Sequence, residues 1–267
     1  MACRNLAKGA AAAEDIRSTT GKSPERIVEV DVSSRGAADD GARRILERLD
    51  RIDVLVNNAG AFFPERGTNE DGYERTLVTN CLGPLQLTIR LIPLLRKSSR
   101  GGRIVNVGSE AAFFSVPDLE DLDMACGYGR LGFDAYARSK AAQVVGMAVL
   151  AERLSEEGTI PAVTVHPGHV STNIWPVHAW HYRLLSWIQT RFAISAAQAA
   201  ADISPLLWRP LSELETGGFY SKGAVKELPA ALQEPAFRDS LWRVSLERMG
   251  LGEDKSLLGE PVNVPQT

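Results

Sequence analysis

The chain is poor in cysteine, in clustered charge and in long apolar runs. Only three cysteines occur in 267 residues, Cys3, Cys81 and Cys126. A scattered, odd-numbered set offers neither a disulfide framework nor zinc-ligand spacing. It points instead to a reducing compartment, with each thiol an apolar filler. The formal charge is −3, which leaves no basic footprint for nucleic acid. No apolar stretch reaches the roughly 18 residues of a membrane span; the longest candidate, Ala141 to Ala151, has the length of a core helix. Residues 1–20 lack the apolar core of a secretory signal. His169, His178 and His181 lie close in sequence, but without the i,i+4 helical spacing or a clear acidic ligand, so no metal site is expected.

What remains is an ordinary globular composition, 44% hydrophobic and 24% charged, sufficient for one large α/β domain. Helix and strand signals alternate, which predicts a doubly wound (Rossmann-like) parallel sheet with helices on both faces. Helices are expected at Leu6–Thr19, Gly36–Leu49, Phe133–Leu154, Ser195–Leu207 and Pro235–Met249, and strands at Ile27–Val30, Val54–Val56, Ile104–Val107 and from Ala162. Residues 71–96 carry helix signal interrupted by Gly83-Pro84, which predicts a break or kink with Asn80 beside it. A single domain is expected over residues 1–250, followed by a polar, Pro-containing and mobile tail, 251–267.

Chemistry concentrates first in Asp134-Ala135-Tyr136-Ala137-Arg138-Ser139-Lys140. On a helix this spacing puts Tyr136 and Lys140 on one face, one turn apart. An ammonium beside a phenol is expected to lower its pKa and make it a usable acid/base. Tyr-x-x-x-Lys alone is common by chance, but three ordered companions accompany it. Val54-Leu55-Val56 runs into Asn57-Asn58-Ala59-Gly60, Ile104 to Val107 ends at Gly108-Ser109, and Ala162 to Val165 ends at His166-Pro167-Gly168. Each is an apolar strand finishing in polar or turn residues, and open α/β sheets bind ligands at that end. Taken singly, each is also an ordinary turn.

Together, Asn57-Asn58-Ala59-Gly60, Asn80, Ser109, Tyr136, Lys140 and Pro167-Gly168 resemble the short-chain dehydrogenase/reductase family, in order and spacing, to about residue 250. The long interval from Ser109 to Tyr136, with Ala2-Cys3-Arg4-Asn5, Gly218-Phe219-Tyr220-Ser221 and Leu241-Trp242-Arg243-Val244-Ser245, resembles its retinol dehydrogenase 11–14 and member 13-like branch. The resemblance implies Tyr136 as acid/base, Ser109 polarising a carbonyl, Lys140 tuning Tyr136 and holding the nicotinamide ribose, and Asn80 holding a relay water. It implies a dinucleotide site of Arg4, Asp31, Val32, Asn58, Ala59, Gly60, Tyr136, Lys140, Pro167, Gly168, Val170 and Thr172, with Asp31 near the adenine. Arg4 would meet a 2′-phosphate, so NADP is expected ahead of NAD.

The family's Thr-Gly-x-x-x-Gly-x-Gly turn is missing from the sequence. Such a turn lets backbone approach the pyrophosphate. Gly127-Tyr128-Gly129-Arg130-Leu131-Gly132 fits Gly-x-Gly-x-x-Gly literally, but it follows an acidic stretch, 118–123, rather than a strand, and is read as part of an insertion loop. The resemblance therefore leads to the expectation of an N-terminally truncated form without the family's first strand and first helix, leaving open edges on the strands that would flank it. Branch members often carry an N-terminal membrane anchor, so a cytoplasmic chain and an endoplasmic-reticulum-anchored full-length form are both implied.

Trp175, Trp180 and Trp187 cluster with Tyr182, Phe192, Arg183 and Arg191. The resemblance implies that this segment, after Pro167-Gly168, is the substrate lid, and its aromatic, apolar character suits a long hydrophobic alcohol or carbonyl of retinoid or lipid class. Packing on the domain, an oligomer contact and a membrane-interface contact are the competing roles. Two functions stay open at this point: an NADP(H)-dependent oxidoreductase, and a catalytically inert isoform acting through partner binding.

Overall fold

The computed structural model describes residues 1–156, 160–168, 170 and 194–252. Strand β1 (Ala2–Cys3) leads into α1 (Leu6–Thr20), β2 (Val28–Glu29), α2 (Arg35–Leu46) and β3 (Val54–Asn57). Then come α3 (Arg75–Leu77), a π-turn (Val78–Leu82), α4 (Gly83–Arg96), β4 (Arg103–Val107), a 3₁₀ turn (Glu110–Phe114), α5 (Phe133–Glu156) and β5 (Ala162–His166). The described chain finishes with α6 (Ala196–Trp208), β6 (Phe219–Ser221), β7 (Ala224–Val225), α7 (Ala230–Gln233) and α8 (Pro235–Arg248).

Local chemistry sets these boundaries. The Asn5 side chain accepts the Lys8 N–H at 2.9 Å to open α1, and Gly21, at φ 71°, closes it. Ser34 caps α2 through the Ala37 N–H, and Ser195 forms a reciprocal capping box with Gln198 at α6. The expected helices are therefore present to within a few residues.

β1 and β2 form one parallel pair, with Ala2 opposite Val28 and Cys3 opposite Glu29. A second sheet runs β3-β4-β5-β6-β7, parallel except for the last strand. Among the described residues β1 pairs only with β2, and β3 only with β4. At the edge of β3, Val56 is 39% exposed.

Alternation along the strands divides the core. Ile104 and Ala162 join α4, α5 and α8 on one face, while Val105, Val163 and Val165 meet Leu206 of α6 on the other. A third cluster joins Val28, Val30 and Val32 to Leu87, Leu91 and Leu94 of α4. Gly83 lets α4 approach that cluster, since a Cβ there would collide with the Val32 carbonyl.

Two elements differ from the sequence reading. Residues 75–96 form a 22-residue helical run, long and apolar enough to cross a membrane by length and composition, although no unbroken apolar stretch of that size exists. It is 83% buried in the protein core over its apolar window. β7 is antiparallel, joined to β6 by Lys222-Gly223, both at positive φ (52° and 79°), the geometry of a two-residue hairpin turn.

Candidate active site

The site lies at the carboxyl ends of β3 and β4 and is walled by α5. Helical spacing brings Tyr136 and Lys140 together as expected, with Lys140 Nζ 5.9 Å from the Tyr136 ring centroid. Lys140 is held from behind. Its Nζ donates to the Val107 carbonyl at 3.1 Å and to Gln143 Oε1 at 2.9 Å. Gln143 Nε2 donates to Asn106 Oδ1 at 3.1 Å, and Asn106 Nδ2 reaches Thr164 Oγ1 at 3.4 Å. All four side chains are buried, so this amide relay compensates polar groups that water cannot reach. One of the three ammonium donors remains for a ligand.

Ser109 sits between β4 and the 3₁₀ turn, which it caps by accepting the Ala111 N–H at 3.1 Å. The same hydroxyl is near enough to Tyr136 to act on its phenol. Phe62 covers the other side of Tyr136, with ring centroids 5.8 Å apart and 54° between planes.

Asn80 lies inside the π-turn, a one-residue widening of the helix that often marks functional positions. The expected distortion thus precedes Gly83 instead of falling on it. Pro84 stands four residues after Asn80, so the α-helical donor for the Asn80 carbonyl does not exist. The Asn80 side chain accepts the Ala61 N–H at 2.7 Å and donates to the Ala61 carbonyl and to Ser139 Oγ, each at 2.9 Å.

Electrostatics correct one expectation. Burial pushes the Tyr136 phenol above its ordinary value, and the Ser109 hydroxyl offsets this only in part. The expected net lowering by Lys140 is absent, and Lys140 is itself desolvated, its pKa brought down to about 8. Burial also drives the neighbouring Cys81 thiol up to about 12, with the Lys140 charge pulling the other way. Cys81 is therefore inert filler, in keeping with its sequence reading.

The expected dinucleotide residues divide into two groups. Asn58, Ala59 and Gly60 are exposed at the end of β3. A Cβ on Gly60 would stand 3.5 Å from Asn80 Oδ1 and 3.6 Å from Lys140 Nζ, so glycine keeps the approach to Lys140 open. Arg4, Asp31 and Val32 follow β1 and β2 on the other sheet, where Asp31 Oδ1 accepts the Ser33 N–H at 2.9 Å. Pro167 and Gly168 follow β5, and Val170 bridges to Ile194. Thr172, Trp175, Trp180, Trp187, His169, His178 and His181 lie outside the described residues. Sequence reading missed Asn106, Gln143, Ser139 and Phe62. Gln143 had a signal, three residues beyond Lys140 on the same helix face.

These features define a Rossmann-like α/β fold with a Ser–Tyr–Lys–Asn constellation at its strand ends. The short chain dehydrogenase family model matches residues 1–120. Retinol dehydrogenase 14 of Mus musculus is 32% identical over 269 residues, covering 94% of this chain and 78% of that protein. Dehydrogenase/reductase SDR family member 13 of Homo sapiens is 29% identical over 274 residues, covering 100% of this chain and 70% of that protein. The structure of NADPH-bound carbonyl reductase from chicken fatty liver has the same fold, with a TM-score of 0.59 at 23% identity over 84% of this chain and 85% of that one. The chain belongs to the short-chain dehydrogenase/reductase family of oxidoreductases, in its retinol dehydrogenase-like branch.

Proposed function

We propose that the protein interconverts a hydrophobic alcohol and its aldehyde or ketone, of retinoid or lipid class, with NADP(H). The observation that carries this reading is the convergence of Ser109, Tyr136, Lys140 and Asn80 at the sheet's carboxyl edge. The residues present fit the nicotinamide-ribose end of a dinucleotide: Gly60 leaves space beside Lys140, and Lys140 keeps one donor for a ribose hydroxyl. Tyr136, Asn58, Ala59, Pro167, Gly168, Val170 and Thr172 would complete that end. Arg4, Asp31 and Val32 would hold the adenosine end, where an arginine fork suits a 2′-phosphate. When bound, the dinucleotide supplies or accepts the hydride.

The protein's own residues handle the rest. Ser109 holds the substrate oxygen by its hydroxyl. In the reductive direction Tyr136 donates the proton that turns that oxygen into an alcohol; in the oxidative direction it takes the proton back. Lys140 and a water on the Asn80 carbonyl pass the proton outward. The names of the relatives and the aromatic segment at Trp175, Trp180 and Trp187 support a long apolar substrate.

The test titrates purified protein with NADPH by nucleotide fluorescence, then assays retinal and long-chain aldehydes. Saturable binding with aldehyde-dependent NADPH oxidation supports the reading. Saturable NADH binding tighter than NADPH would overturn the cofactor choice. Failure to bind either nucleotide would instead assign the chain a non-catalytic role.

A further inference from the structure

Three consecutive residues, Ala61, Phe62 and Phe63, are each tied to a different element. Ala61 is held by its N–H and its carbonyl to the Asn80 side chain, at 2.7 and 2.9 Å. The Phe62 ring lies against Tyr136 and is buried. The Phe63 ring lies beneath Arg75, 4.3 Å from guanidinium carbon to ring centroid. The Phe63 carbonyl meets the Tyr128 hydroxyl at 3.1 Å. Gly132, at φ 84°, closes on that same carbonyl, leaving no room for a Cβ.

Tyr128 has no place in the reaction described above, yet its hydroxyl is the node of a partly buried network. Thr76 Oγ1 stands 2.9 Å from it and Glu74 Oε1 3.1 Å. Glu74 is 1% exposed, and its two carboxylate oxygens also accept the Thr76 and Leu77 N–H groups at 2.8 and 2.7 Å, capping α3. With one phenolic proton, Tyr128 donates to the Glu74 carboxylate and the Phe63 carbonyl together, while the Thr76 hydroxyl donates to the phenol oxygen. Burial, aided by the Glu74 charge, pushes the Tyr128 phenol up to about 12 and keeps it a donor. On the far side, Asp123 Oδ1 accepts the Glu74 N–H at 2.8 Å and the carboxylate is forked by Arg248 at 2.9 and 2.8 Å. The 117–132 segment is thereby anchored to both α3 and α8.

We propose that Tyr128 is a positioning residue for Tyr136, acting through the Phe63 carbonyl and the Phe62 ring. This rests on the reading of Tyr136 as the acid/base, and deepens it. The anchored wall fixes where Phe62 sits, and Phe62 fixes the ring plane of Tyr136 and excludes water from it.

The test uses protein labelled at the tyrosine ring Cζ, with the Tyr136 signal assigned by Tyr136→Phe among the five tyrosines. Its chemical shift and titration midpoint are followed in wild type, Tyr128→Phe, Phe62→Leu and the double variant. Loss of the Tyr128 hydroxyl should loosen the wall and admit water, moving the Tyr136 midpoint down by about half a unit or more. Phe62→Leu should move it the same way, and the double variant should fall short of the sum, because both act on one path. A lowered melting temperature with the Tyr136 signal unmoved would overturn the proposal, as would full additivity. Thr76→Val removes one bond of the same node and decides the question if Tyr128→Phe does not fold. Where wild type turns over aldehyde, kcat of Tyr128→Phe should fall about tenfold with KM nearly unchanged. If wild type turns over nothing, the proposed reaction fails while the resonance measurements still decide the positioning role.

Discussion

Replacing Lys140 by methionine tests the electrostatics of the site without any substrate. Lys140 is enclosed, and desolvation brings its pKa from 10.5 to about 8. At about 1.4 kcal/mol per unit, the full difference amounts to about 3–4 kcal/mol. The sign follows from linkage. The folded state binds the proton more weakly than the unfolded chain, so charged Lys140 destabilises the fold below about pH 8. That penalty fades as pH rises from about 8 to 10.5 and is gone above it. Methionine carries no such penalty at any pH, although it leaves the Val107 carbonyl and Gln143 Oε1 without their donor. That loss is nearly independent of pH, and ionisation of tyrosines and other groups is common to both proteins. Chemical denaturation of both at pH 7 and pH 10.5 isolates the lysine. The stability of Lys140→Met relative to wild type should fall by about 3 kcal/mol across that interval. A difference that stays constant would refute the assignment of Lys140 as a desolvated cation.

Three further outcomes follow from single contacts. Tyr136→Phe keeps the ring against Phe62 and loses the proposed acid/base, so turnover of aldehyde should drop by about 10²–10⁴ with a nearly unchanged melting temperature. Gln143→Leu interrupts the relay between Lys140 and Asn106 and should cost about 1–3 kcal/mol in denaturant titration. Lys222→Asn places a residue tolerant of positive φ in the β6–β7 turn and should raise the melting point slightly, by the equivalent of about 0.5 kcal/mol.

Much of the site was legible because it rests on local spacing. Tyr136 and Lys140 share a face for the same reason that any i,i+4 pair does, and Ser109 follows a recognisable buried strand. The direction of the Tyr136 shift was not legible. Whether Lys140 stabilises a phenolate depends on Lys140 being charged, which depends on burial by residues distant in sequence. The relay through Asn106 and Thr164 was equally hidden, since its members meet only when β4, β5 and α5 pack. Among the strands, β6 and β7 escaped because three and two residues are too few to show alternation. The Lys222-Gly223 turn does not announce a hairpin as Asn-Gly would. Gly83-Pro84 did signal a distortion, but its form, a widened turn ahead of a regular α4, required the structure.

Asn80 shows how the distortion and the chemistry are joined. Its amide makes three hydrogen bonds, to Ala61 and Ser139, so the side chain is committed chiefly to holding that segment. What the residue can present is its carbonyl, and Pro84 has already deprived that carbonyl of the α-helical donor. Without that donor the carbonyl is the group the proposed relay would use. The side chain then has a separate task, fixing the π-turn against the Ala61–Phe63 wall. One residue would therefore couple two parts of the proposed site: its main chain stands where the relay is proposed, and its side chain holds Ala61, next to the Phe62 ring that lies against Tyr136. Substitution at Asn80 would disturb both at once, whereas Tyr128 and Phe62 reach Tyr136 from the wall alone. That difference is why the wall residues, and not Asn80, can separate positioning from proton transfer.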